Sequence, residues 1–87
     1  MKVTECMKKA LGLPEWVVSI SRSNGYPWNG WIEDENGFAE FRAGIFWQAL
    51  EHIQTCQKCR EACGFTLERV EELLKEIESE WNSVTNY

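Results

Sequence analysis

The chain has 87 residues and a formal net charge of −5, from 14 acidic and nine basic side chains, with one histidine and four cysteines. That length sets one domain, residues 1–87; five tryptophans, four phenylalanines and two tyrosines are enough to build its core, at roughly 150–250 Å² buried per aromatic side chain. The acidic balance argues against direct binding to nucleic acid or an anionic membrane surface, where Lys and Arg must neutralise phosphate, and no apolar run is long enough to span a bilayer.

Met1 to Lys9 lacks the uninterrupted apolar centre of a signal peptide. The expected location is therefore cytoplasmic, and the cysteines are expected as thiols or ligands, not disulfides. From Val3 to Leu13 the residues Val3, Cys6, Met7, Ala10 and Leu11 keep helical spacing. Thr4 stands near the start of this helix, and Gly12 and Pro14 end it. Residues 15–22 change to period two, with Trp16, Val18 and Ile20 on one side and Val17, Ser19 and Ser21 on the other, the pattern of a half-buried strand.

The segment from Ser23 to Gly30 holds two Asn-Gly turn signals. Trp31 to Glu35 and Phe38 to Arg42 read as a hairpin about Asn36-Gly37. A two-residue loop there sets Ile32 opposite Phe41 but also Glu33 opposite Glu40, an unfavourable pair of like charges. A helix is expected from Ile45 to about Ala62, stopped by Gly64. Thr66 caps a final helix with Leu67, Val70, Leu73, Leu74, Ile77 and Trp81 on its apolar face, and residues 82–87 are expected to fray. The sum is an α+β class: a short N-terminal helix, a three-stranded antiparallel sheet and a C-terminal antiparallel helical hairpin packed on the sheet.

Within the long helix, steps of four and three place Ile45, Ala49, His52, Cys56, Cys59 and Cys63 on one stripe. Two chemistries compete for it. Free cysteine packs as a small hydrophobe, which makes the stripe a core seam with no cofactor, and this is the simpler reading. The alternative is a zinc site formed by Cys6, His52, Cys56 and Cys59 or Cys63, since zinc takes thiolates and imidazoles tetrahedrally. Sulfurs on one zinc lie about 3.8 Å apart, whereas residues seven apart in a continuous helix are separated by about 10.5 Å along the axis. Cysteine side chains are too short to close that gap, so Cys56, Cys59 and Cys63 cannot share an ion unless the helix breaks near Arg60; the histidine side chain reaches further, which makes Cys6, His52, Cys56 and Cys59 the more feasible set.

No carboxylate or oxyanion loop accompanies the histidine, and no Gly-rich phosphate cradle is present, so catalytic residues are not expected and the chain reads as a non-enzyme. Tyr26 and Trp28, in the turn-rich segment, are candidate exposed anchors, since Trp and Tyr dominate interface hot spots. Trp31 is expected to fold back on the core. Glu33, Asp34 and Glu35 at the hairpin, with Glu68, Glu71, Glu72 and Glu76 on the last helix, are the candidate acidic contacts. They favour a protein partner with a basic surface. The expected function is a small acidic interaction module, of the kind by which phages and mobile elements block a basic nucleic-acid-binding surface. A homodimer through leftover apolar face of the helical pair is a further expectation.

Overall fold

The computed structural model describes residues 1–85. In chain order it contains α1 (Glu5–Leu11), β1 (Ser19–Arg22), β2 (Gly30–Glu33), β3 (Ala39–Arg42), α2 (Ile45–Thr55), α3 (Gln57–Cys63) and α4 (Leu67–Thr85). The three strands form one antiparallel sheet in the order β1-β2-β3. The α+β architecture is the expected one. Helix α2 is its centre, contacting α1, β1, β2, α3 and α4. One continuous core results, in which Ile20 and Ile32 of the sheet, Met7 of α1, Leu50 and Ile53 of α2, and Val70 and Ile77 of α4 are all essentially inaccessible to solvent.

Three boundaries differ from the sequence reading. First, β1 is shorter than residues 15–22 and its inward face begins elsewhere. The Val17 N–H closes a turn onto the Pro14 carbonyl at 3.2 Å, which rotates Val17 into the core and leaves Trp16 and Val18 exposed. Period two holds only after that turn, with Ile20 inward. Second, the hairpin register is offset by one residue: Trp31 faces Phe41, Ile32 faces Glu40 and Glu33 faces Ala39. The loop thus has three residues, and the Asp34 carboxylate accepts the N–H groups of Asn36 (2.9 Å) and Phe38 (2.8 Å). Gly37, at φ +90°, supplies the left-handed residue that such a loop uses. The offset removes the Glu33–Glu40 confrontation.

Third, the helix expected from Ile45 to Ala62 is two helices. Cys56 has extended backbone (φ −106°, ψ 99°), ending α2 and starting α3. The break deprives the Ile53 and Gln54 carbonyls of their helical donors. The Arg60 guanidinium replaces them, with Nη1 3.0 Å from the Ile53 oxygen and 3.1 Å from that of Gln54. Further along, Thr66 caps α4 as expected, its hydroxyl accepting the Arg69 N–H at 3.1 Å. Helix α4 runs on to Thr85, past the expected fraying point at Asn82; residues 86–87 lie outside the described residues.

The loop between β1 and β2 is tied to the start of α2. Asn29 is buried, and its Oδ1 accepts the Gly44 N–H at 2.8 Å. Gly30 belongs to β2, where a Cβ would collide with the Ser21 carbonyl oxygen and press on Ile45. It is needed for close approach of backbone to backbone, not for the turn that its Asn-Gly dipeptide suggested.

Candidate metal centre

Four side chains from three helices and one junction meet at the end of α2. Cys6 projects from the first turn of α1, His52 from the last turn of α2, Cys56 is the junction residue, and Cys59 follows in α3. Their ligand atoms all lie within 4.8 Å of one another. The Cys6 Sγ is 3.6 Å from the His52 Nε2, close to the sulfur–nitrogen edge of roughly 3.6 Å in a tetrahedral zinc site with bonds near 2.3 and 2.05 Å. Closing the remaining edges to about 3.8 Å takes side-chain movements below the length of a bond.

The set grades from exposed to buried. Cys6 is exposed, His52 and Cys56 are half-buried, and Cys59 is buried. The two thiols of Cys56-Gln57-Lys58-Cys59 are pushed in opposite directions. The Cys59 backbone N–H, helped by the Cys59 thiol, favours the Cys56 thiolate and lowers its pKa. This is an electrostatic approach, since no side-chain hydrogen bond of ordinary geometry caps α3 at Cys56. Burial pushes the Cys59 thiol up to about 11. Cys56 is therefore the first thiol of the pair to ionise, and Cys59 the last.

Thr4 ties the centre to α1. Its hydroxyl oxygen accepts the Met7 N–H at 3.1 Å, capping the helix that carries Cys6, and lies 3.0 Å from the Cys59 sulfur. Either the hydroxyl or the Cys59 thiol can donate in this pair; once Cys59 is a thiolate, the hydroxyl is the donor and favours the charged sulfur. The sequence reading gave Thr4 only a position near the helix start. A threonine cap two residues before a ligand cysteine is the signal that could have marked it.

Cys63 does not belong to the cluster, which corrects its place as an alternative to Cys59. Its Sγ donates to the Lys2 carbonyl at 3.0 Å, and burial raises its pKa. The axial argument against Cys63 holds in α3, where the chain is helical from Gln57 to Cys63. The break that the sequence reading looked for near Arg60 lies at Cys56, too early to bring Cys63 round.

The residues proposed for partner contact are dispersed. Tyr26 is half exposed at 51 %. Trp28, expected to be exposed, is half-buried against the core, its ring 5.1 Å from Tyr26 and 4.6 Å from Trp81. Trp31, expected to fold back, is exposed instead. Glu33 accepts the Ser21 hydroxyl and Asp34 holds the hairpin turn, so only Glu35 of that trio is fully solvated. Glu68, Glu71, Glu72 and Glu76 are exposed on α4, with Arg69 paired to Glu72 at 3.2 Å. No described helix is long and apolar enough to cross a membrane. Comparison with protein-family models, with curated proteins and with solved structures gave no match.

Proposed function

We propose that this chain is a non-catalytic module organised by one structural zinc ion, held by Cys6, His52, Cys56 and Cys59. The observation that carries this reading is the convergence of those four ligand atoms within 4.8 Å from positions up to 53 residues apart. Three thiolates and an imidazole are a closed tetrahedral set for zinc. Four protein ligands leave no open position for water or substrate, so the site is structural in kind. The ion would bind α1, α2 and α3 to one another, in a chain whose N-terminal helix has only seven residues.

The outward task that fits such a module is binding another protein. The support is the row of exposed carboxylates on α4, which suits a partner with a basic surface. Blocking a nucleic-acid-handling groove is one form that this binding would take.

Zinc content of protein purified without added metal tests the first reading, with one ion per chain as the expected result. A chelator strong enough to remove it should lower the unfolding midpoint markedly. A metal-free protein that takes up no zinc, and is indifferent to chelator, would overturn it. A salt titration of partner capture tests the second. Binding through α4 weakens as salt rises and after charge reversal at Glu68, Glu71, Glu72 and Glu76; binding indifferent to both contradicts it.

A further inference from the structure

The two edges of the sheet are treated differently. Residues Met1 to Val3 run along the outer edge of β1: the Ile20 N–H donates to the Met1 carbonyl at 2.9 Å, and the Val3 N–H to the Val18 carbonyl at 3.0 Å. Among the described residues, no strand or bridge pairs with the outer edge of β3. The Asp34 N–H donates to the Phe38 carbonyl at 3.0 Å. Hydrogen bonding alternates along an antiparallel pair, so Phe38, Glu40 and Arg42 turn their backbone groups to β2, and Ala39 and Phe41 turn theirs outward. An open edge of this kind is a template for a further strand. Beside it, on the sheet face away from α2, Phe41 and Trp31 are 48 % and 41 % exposed, with rings 5.4 Å apart at 70°.

We propose that two copies of this chain associate by antiparallel pairing of their β3 edges about a twofold axis at Phe41. In that register the two Phe41 residues exchange both backbone hydrogen bonds. Glu40 of each copy falls opposite Arg42 of the other, so two opposite-charge pairs form at once. They occupy non-hydrogen-bonded positions, where facing Cα atoms are about 4.5 Å apart. The two side chains are already neighbours within one copy, at 3.6 Å and half exposed. The other registers lose this match. An axis at Glu40 sets carboxylate against carboxylate, an axis at Arg42 sets guanidinium against guanidinium, and a slip of one residue pairs outward backbone groups with inward ones. The pairing also joins the two Trp31–Phe41 contacts into one aromatic row across a six-stranded sheet. The second copy is thus the occupant that the edge's own charge pattern specifies. It differs from a dimer through the helical pair, and it does not depend on zinc.

Sedimentation equilibrium of the full-length, zinc-supplemented protein from micromolar to near-millimolar concentration tests the proposal, with circular dichroism to verify that each variant is folded. The wild type should reach dimer mass. Glu40→Arg should weaken the dissociation constant about tenfold or more, because two attractive pairs become repulsive. Adding Arg42→Glu to it should restore the wild-type value, since the pairs are then exchanged and not lost. A wild type that stays monomeric, a dimer indifferent to Glu40→Arg, or a double variant that fails to recover would each overturn the proposal.

Discussion

At the scale of single residues, the centre separates cysteines that look alike in sequence. Cys59 and Cys63 follow Cys56 on the same helical stripe, yet only Cys59 joins the cluster, while Cys63 is spent on the Lys2 carbonyl. Cys63→Ser should keep one zinc per chain, measured by titration with a colorimetric chelator, and Cys59→Ser should lose it. Thr4 acts through Cys59 and through the α1 cap together. Thr4→Val should weaken zinc binding by about 10–100-fold, and Thr4→Ser, which keeps the hydroxyl, should restore most of it in the same competition assay. An equal loss in both variants would assign Thr4 to packing alone. Proton linkage follows from Cys59. Held up at about 11 by burial, its thiol keeps its proton through neutral pH in the metal-free protein, and zinc must displace that proton. Calorimetry in buffers of differing ionisation enthalpy should show protons released on binding, and affinity should rise with pH between 6 and 8.

At the scale of elements, the interruption at Cys56 is the feature with the widest effect. It lets one residue end α2, begin α3 and contribute a sulfur at the seam. Arg60 makes the interruption tolerable by satisfying two carbonyls. Arg60→Met keeps much of the aliphatic stem but strips those acceptors, and should cost about 1–3 kcal/mol in urea unfolding. Asn29→Ala, which leaves the Gly44 N–H without its acceptor, should cost a similar amount; the assignment of both hydrogen bonds fails if these variants unfold like wild type. Elements with a strong period and a clear cap, such as α4 behind Thr66, were legible from sequence. The start of α4 rests on local chemistry that the residues themselves display, whereas its far end, expected to fray from Asn82, runs on to Thr85. The break at Cys56 was not legible, because Gln54-Thr55-Cys56-Gln57 holds no Gly or Pro and its Thr and Cys disfavour a helix only weakly, and Arg60, which satisfies the freed carbonyls, is four residues away. The strand phase at Val17 and the hairpin register were decided by a turn onto Pro14 and by the Asp34 carboxylate, interactions that a period of two does not encode.

At the scale of the molecule, the site was half legible. The sequence put Cys6, His52, Cys56 and Cys59 forward as the more feasible set within a zinc reading that stood second to a core seam, and spacing alone could not show that α1 packs against the end of α2, which brings Cys6 to His52. The exposed surface divides into an acidic flank on α4 and an aromatic face on the sheet. Trp31 and Phe41 were hidden from the sequence reading because outward aromatics alternate with inward aliphatics just as core aromatics do. The zinc reading ties the seating of α1 and α3 to the metal: without it α1 keeps the packing of Met7, the Thr4–Cys59 contact and the pairing of Met1–Val3 along β1. Chelated protein should accordingly lose protection from hydrogen exchange first in α1 and α3, with the sheet and α4 retained longer; uniform loss would place the ion's influence elsewhere.

The most direct measurement is the absorption spectrum of the metal-free protein titrated with cobalt(II), which takes the same tetrahedral sites and reports its ligands by colour. One equivalent should produce intense visible bands of a tetrahedral ion and a near-ultraviolet thiolate charge-transfer band, both displaced by zinc, both lost in Cys59→Ser and both kept in Cys63→Ser. A spectrum that stays that of the hexa-aquo ion, or one that Cys63→Ser abolishes and Cys59→Ser does not, would contradict the assignment of Cys6, His52, Cys56 and Cys59 as a metal centre.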